Sequence, residues 1–342
     1  MHNSFFSLTT RLLALCGLLL LIMALCGLLA LAWGSSSGIS LAKISETLQT
    51  LFCAKARDSV AAAIVWQVRL PRVVLAAVVG ATLALGGLVF QALLRNPLAE
   101  PYILGVSGGS AIGAIIGILL GLSPFPGVTA TAFVGSMTVL VLVLLLAAGV
   151  SARSAVSRDT LLLGGVMMNA FCGAVIMFLI SVSQTAQVHH ILFWLMGDFS
   201  VFSVEQLPVL LAVLPCFLII FLMARPLNLL LLGRETAASL GTEVKRVSVL
   251  LLATTTLMVS IVVSQSGLVG FVGLVIPHIF RTLLGPDHRL LIPASILGGG
   301  SYMILCDLLA RTLPAGGEMP VGIVTALVGA PLFIYLLWRS RR

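Results

Sequence analysis

Ionisable side chains are few enough in this sequence to be weighed one at a time: nineteen Lys or Arg, eleven Asp or Glu and five His among 342 residues. Asp307 stands four residues before Arg311, which puts both on one helix face and makes internal pairing the default. Arg69-Leu70-Pro71-Arg72 sets two guanidiniums around a proline that breaks the helix between them. Rigid guanidiniums of this kind suit bidentate pairing with partner carboxylates or contact with lipid headgroups. His278, in Pro277-His278-Ile279-Phe280-Arg281, reads as a structural histidine before a metal ligand. The adjacent His189 and His190 point to different helix faces, which disfavours a shared metal. Six cysteines are scattered through mostly apolar runs without a C-x-x-C pair, so they read as small buried hydrophobes.

Absences set the class of mechanism. No G-x-x-x-x-G-K-[ST] loop occurs, since none of Lys43, Lys55 and Lys245 follows a glycine loop, so the chain does not cradle ATP itself. No H-E-x-x-H pattern occurs either, and no catalytic, cofactor or metal residue is assigned. An ion-coupled secondary transporter, the alternative, would have to work through Asp307 or His278, and Arg311 neutralises the first. The reading is a passage without its own engine.

The elements that position these residues follow from composition. Hydrophobic residues make up 60% of the chain and charged ones 9%, with mean hydropathy +1.19. Soluble domains average about 45–50% apolar and about 25% charged, so a soluble enzyme is excluded and an all-α polytopic membrane protein is expected. Ten apolar runs stand at 12–33, 73–92, 103–121, 129–150, 160–182, 206–223, 248–265, 268–284, 291–309 and 320–338. Ala30-Leu31-Ala32 has the look of a signal-peptidase site, but the run before it exceeds the about 7–15 residues of an h-region, so a retained span is expected. With the N-terminus inside, thirteen Lys or Arg fall on inner segments and six on outer ones. That bias, with an even span count, places both termini in the cytoplasm. The basic excess needs no nucleic acid.

Three segments are expected not to cross. Residues 39–52, within an outer segment of about 34–68, carry Leu41, Ile44, Leu48 and Leu51 at helical spacing with Ser40 as N-cap. Residues 183–204 hold a partial helix with Trp194 at headgroup level. The inner loop of about 226–246 suits one or two helical turns over 234–240, with Gly241 as a left-handed stop and Thr242 as the cap of the next helix. It is a handle for another protein or an ordinary solvated turn. Gly105, Gly109, Gly113, Gly117 and Gly121 recur every fourth residue, which reads as close packing within the bundle or as a dimer or pore contact. Arg95-Asn96-Pro97-Leu98-Ala99-Glu100-Pro101 denies a regular helix and makes a rigid turn at the inner water boundary.

Together these runs resemble the FecCD family, the permeases of type II ABC importers for ferric siderophores, haem and cobalamin. The likeness rests on Arg69–Arg72, on Asn96–Pro101 with Ile103–Gly109, and on the Leu232–Gly241 loop. Gly270–His278 and Pro320–Pro331 extend it, so that it runs from about residue 60 to the C-terminus. The resemblance implies one permease domain over 1–342, a homodimer of ten-helix subunits in the bacterial inner membrane, and two ATP-binding cassette ATPase subunits. It also implies a periplasmic or lipoprotein substrate-binding protein, and a cargo that is an iron complex or corrinoid, the iron complex first. By position, Arg69, Arg72 and Arg311 would receive acidic residues of the binding protein. Asn96 and Leu98 would gate the inner side, with Ser157 and Arg158 in the place of a second gate. Gly233, Arg234, Glu235, Ala237, Leu240 and Gly241 would couple to the ATPase.

Overall fold

The computed structural model describes residues 8–33, 60–150, 158–314 and 317–340. Among them every regular element is helical. Apart from one-turn helices at Val60–Ala63 and Leu207–Leu211 and short 3-10 and π segments, these are, in chain order, α1 Leu8–Ala32, α2 Leu70–Leu94, α3 Val106–Leu119, α4 Thr129–Val150, α5 Arg158–Ser181, α6 Thr185–Leu195, α7 Leu214–Leu222, α8 Ala224–Leu232, α9 Arg234–Ser239, α10 Val244–Ser266, α11 Val272–Leu284, α12 His288–Thr312 and α13 Val321–Ser340. Seven helical stretches are long and apolar enough to cross a membrane, and three shorter apolar helices, Val106–Leu119, Val272–Leu284 and Val321–Leu336, accompany them. Each of the ten coincides with one apolar run of the sequence. The expected 39–52 helix, Lys43, Cys53, Lys55 and Arg57 lie outside the described residues.

The bundle is organised around α2, the most enclosed of the seven long stretches, which carries Leu75, Leu83, Leu85, Leu88 and Phe90 into the core. It packs on α10, α11 and α12. Lipid is as apolar as leucine, so helices associate here through close contact of small residues. A methyl on Gly80 would meet Met303 Cβ at 2.6 Å and the carbonyl carbon of Gly299 at 2.7 Å. The glycine ridge has the same use: Gly109, Gly113 and Gly117 all abut α4, and a methyl on Gly113 would lie 2.7 Å from the Thr131 carbonyl carbon. Gly105 and Gly121 sit outside the ridge, taking φ of +79° and +69° at the two ends of α3.

Pro71 does not break the helix. A π-helical run, Ile64–Arg69, leads straight into α2, and Arg69 and Leu70 keep helical dihedrals, so the chain stays helical across a residue that donates no bond. The third and eighth spans are shorter than their apolar runs for a shared reason. A 3-10 turn, Pro101–Leu104, precedes α3, and the link Gly267–Phe271 precedes α11. Inside the bundle these two irregular segments satisfy one another. The Tyr102 hydroxyl donates to Val269 O at 3.1 Å and accepts from Val269 N at 3.3 Å, while Asn169 Nδ2 donates to Tyr102 O at 3.2 Å. Irregular backbone is tolerated at membrane depth when protein satisfies it in this way.

Candidate functional site

Chemistry-bearing residues gather at the two ends of the bundle. At one end α2 and α12, running antiparallel, bring Arg72 beside Asp307 and Arg311. Arg72 Nε donates to Asp307 Oδ1 at 2.8 Å and Arg72 Nη1 to Glu318 Oε2 at 2.5 Å. Arg311 Nε lies 3.1 Å from Asp307 Oδ2, an ion pair without hydrogen-bond alignment. Two guanidiniums thus face two carboxylates, a neutral set. Arg72, Asp307 and Arg311 are buried, at 7%, 0% and 5% exposure, and only the Glu318 side chain, at 39%, reaches the surface appreciably.

Arg311, joined by Arg69, also closes α1. Arg69 Nη1 donates to Leu31 O at 2.6 Å and Arg311 Nη2 to Ala30 O at 3.4 Å. Terminal helix carbonyls lack partners and carry partial negative charge, so guanidiniums are favoured there. The three arginines picked from the sequence are therefore brought together, and the pairing of Asp307 with Arg311 is present. Arg72 and Arg311 are not free guanidiniums, however; the chain supplies their carboxylates itself. Glu318 was not singled out in the sequence, because its 246-residue separation from Arg72 leaves no local pattern.

At the other end α2 stops at Arg95, whose φ of +45° turns the chain out of the helix. Asn96 Oδ1 accepts from Leu98 N at 3.0 Å, an Asx turn that fixes the proline-framed segment. Leu98 is exposed and Asn96 half-buried. Burial raises the Glu100 carboxyl above its ordinary range. Arg95 Nη2 donates to Leu230 O at 2.9 Å, which ties this turn to the last turn of α8. Just past that turn Gly233, at φ +129°, starts α9. Ala237 buries the inner face of α9, whereas Arg234, Glu235 and Leu240 are exposed. Gly241 ends it at φ +84°, and Thr242 N donates to Ala237 O at 2.9 Å.

Thr242 does not cap α10. Glu243 occupies the N-cap position without a side-chain bond, and instead pairs with Arg246 at 2.7 Å in the open. A second tie stands beside the first: Asn228 Nδ2 donates to Asp287 Oδ1 at 2.7 Å, and Asn228 Oδ1 accepts from His288 N at 2.9 Å. Burial alone would raise the Asp287 carboxyl. The Arg289 amide, Asn228 and the neighbouring charges outweigh it and hold the carboxyl below its ordinary range. Ser157 and the side chain of Arg158 lie outside the described residues.

The remaining candidates are structural in setting. His278 packs edge-on against Phe333 with ring centroids 6.0 Å apart. Among the described residues no cluster of three metal-ligating side chains occurs. The partial helix after the fifth span is present as α6, and Trp194 packs on Ala114, Val128 and Ala132. Beside it lies a cavity of about 680 Å³ whose wall includes Gln265.

This arrangement has counterparts among known proteins. The profile of the FecCD transport family matches residues 19–339. The vitamin B12 import system permease protein BtuC of Klebsiella pneumoniae is 40% identical over 279 residues, covering 81% of this chain and 83% of that protein. The protein of the same name from Escherichia coli O9:H4 is 40% identical over 280 residues, covering 81% and 84%. A solved structure described as an inward-facing conformation of a metal-chelate type ABC transporter superposes with a TM-score of 0.81 at 33% identity, over 95% of this chain and 99% of that one. PsaBC from Streptococcus pneumoniae shares the fold alone, with a TM-score of 0.57 at 18% identity over 78% and 90% of the two chains.

Proposed function

Because the chain belongs to the FecCD transport family, and is thus a multi-pass membrane permease subunit, we propose that it works as a homodimer with two ATPase subunits and a substrate-binding protein in the bacterial inner membrane. Both termini lie in the cytoplasm on this reading, so α9 faces the ATPase and the Arg72–Asp307 cluster faces outward. The observation that carries the proposal is the Arg95–Leu230 bond. Through it a displacement of α9 and α8 reaches the Asn96–Leu98 turn, so the coupling loop and the inner gate move as one piece. Arg69, Arg72 and Arg311 are the outer docking residues, with Glu318 as the group a partner carboxylate would exchange with. ATP binding and hydrolysis belong to the partner chain.

The cargo we favour is a corrinoid, with an iron complex second. Identity of 40% to two permeases named for vitamin B12 import supports this order, against the sequence-based preference for iron. An ion-coupled carrier is disfavoured, because Asp307 is already engaged by the guanidiniums of Arg72 and Arg311. Tagged protein solubilised gently from its native membrane should bring down a P-loop ATPase in equal amount. The same membranes should take up cyanocobalamin in an ATP-dependent, ionophore-insensitive way. A chain that emerges alone from several mild detergents, or uptake abolished by an ionophore, would overturn the reading.

A further inference from the structure

Glu318 is the member of the Arg72–Asp307–Arg311–Glu318 cluster that can leave it. Asp307 is wholly buried between α2 and α12, whereas the Glu318 side chain is 39% exposed and belongs to the short segment that enters α13. A second carboxylate could take its place on Arg72 without changing the net charge of the set, and Glu318 would pass into water that it already touches. Asp307 has no such exit, since its departure would strand two buried guanidiniums.

The segment that carries Glu318 also holds the end of α6. Met319 N donates to Ala310 O at 3.2 Å, Val321 N to Gly197 O at 2.9 Å and Gly322 N to Met196 O at 3.0 Å. The first N–H groups of a helix and the last carbonyls of a helix lack partners of their own, and here α13 and α6 supply each other's. Leu268 N joins them from the link before α11, donating to Trp194 O at 3.4 Å. Met319 and Pro320 are all that stands between Glu318 and the two bonds to α6. Proline fixes its own φ, so this link has little slack. Residues on both sides of Met196 and Gly197 form a wall of the 680 Å³ cavity, with His190, Phe193 and Trp194 before them and Asp198, Ser200 and Val201 after. A shift of the 318–322 segment therefore acts in the middle of that wall.

We propose that Glu318 is a releasable latch that carries the state of Arg72 to α6. Without a partner it occupies Arg72 and holds the 318–322 segment, and with it the end of α6, in place. Resting on the docking reading above, a partner carboxylate that takes over Arg72 frees Glu318, and the α6 wall of the cavity rearranges. Glu318 and the incoming group compete for the same Nη1, so docking favours the released form. Asp307 and Arg311 keep α1, α2 and α12 together meanwhile.

The test uses the whole transporter complex in lipid nanodiscs and follows backbone amide exchange at Val321, Gly322 and Leu268 in wild type, Glu318→Ala and the shape-preserving Glu318→Gln. Without any partner, exchange at all three should be at least about fivefold faster in both variants, while Leu240 and Gly241 at the other end of the bundle keep the wild-type rate. Unchanged exchange would overturn the latch. Acceleration that stops short of Leu268 would overturn it too, because α6 would not be reached, and so would acceleration that extends to Leu240 and Gly241, which is general loosening. The second arm measures affinity for the substrate-binding protein recovered with the tagged complex. Removing the competing carboxylate should tighten docking at least about threefold, and docking on wild type should itself speed exchange at the same three amides. Tighter docking without that change in wild type would keep Arg72 as a docking residue and overturn the latch. Unchanged or weaker docking would overturn the docking reading at Arg72, and the latch with it.

Discussion

The two ends of this bundle handle charge in opposite ways. At one, Arg72, Asp307 and Arg311 are sealed at 7% exposure or less, and Glu318 completes their charge balance from the surface. At the other, Glu243 and Arg246 pair with side chains 63% and 83% exposed, and the turns are tied by hydrogen bonds of Arg95 and Asn228. Ion pairs in a low-dielectric setting are unforgiving when one partner is lost, whereas exposed pairs contribute little. The difference bears on where rigidity and movement belong: the sealed end holds α1, α2 and α12 together, and the open end has the fewer restraints against the movement proposed for it. If this comparison is right, substitutions at the first end should act on stability and those at the second on coupling.

The largest effect is expected from Asp307→Asn. It leaves Arg72 and Arg311 with Glu318 as their one carboxylate inside the bundle, and should cost about 3–5 kcal/mol of stability. Thermal unfolding in mild detergent measures it. Replacing Arg72, Asp307 and Arg311 together by apolar residues of similar size should recover most of the loss, because no charge is then stranded. A loss below about 1 kcal/mol for Asp307→Asn would break the comparison at its stronger side, since buried pairs are expected to exceed that.

Arg95→Ala should come next. A hydrogen bond from a charged donor contributes up to about 1.5–3 kcal/mol, but Arg95 is exposed, so a stability loss of about 1 kcal/mol is expected. The larger change should appear in function: uptake should fall while ATP hydrolysis by the partner continues, because the α8–α9 unit no longer pulls on the Asn96 turn. Uptake at the wild-type rate would separate the gate from the handle and remove the observation on which the proposed mechanism rests.

Both results bear on what the sequence could disclose. The ten spans were legible because each apolar run is closed by Gly, Pro or charge, and α9 with its Gly241 stop followed from spacing alone. The Asp307–Arg311 pair was legible because four residues is a helical repeat. Glu318 was not, nor the Arg95–Leu230 tie, since their partners are separated by 246 and 135 residues and no periodicity reaches that far. Pro71 misled for a different reason. Its effect depends on the bonding of the preceding turn, and a π-helical run ahead of it keeps the chain helical across the missing donor. Gln265 reads from the sequence only as part of the short break between two apolar runs, and its lack of a partner shows in the structure alone.

A smaller effect is expected at the start of α12. Asp287 accepts from Arg289 N at 3.0 Å as an N-cap, besides its bond from Asn228. Asp287→Ala should therefore cost about 1 kcal/mol. Its pH dependence has a definite sign. The folded carboxyl is held below its ordinary range, so its contribution is fully present above the unfolded pKa and is lost as pH falls through the folded one. Wild type and variant should differ in melting temperature at neutral pH and converge in acid. A difference that persists in acid would assign the effect to packing instead of charge.

The smallest stability effect should come from the pair most like a surface ornament. Glu243→Ala or Arg246→Ala removes an exposed pair three residues apart, for which about 0.3–0.5 kcal/mol is the usual scale, and added salt should shrink even that. The pair nonetheless stands between α9 and α10, where the proposed coupling loop would pass motion into a spanning helix. The double variant should match wild type in melting temperature yet weaken co-purification of the ATPase, and Glu243→Arg should weaken it further by adding a positive charge beside Arg246. Unchanged recovery of the ATPase in all three would show that the open end is merely solvated there. Contact with the partner would then rest on Arg234, Glu235 and Leu240, the exposed side of α9, and the same pull-down on substitutions at those three would show whether it does.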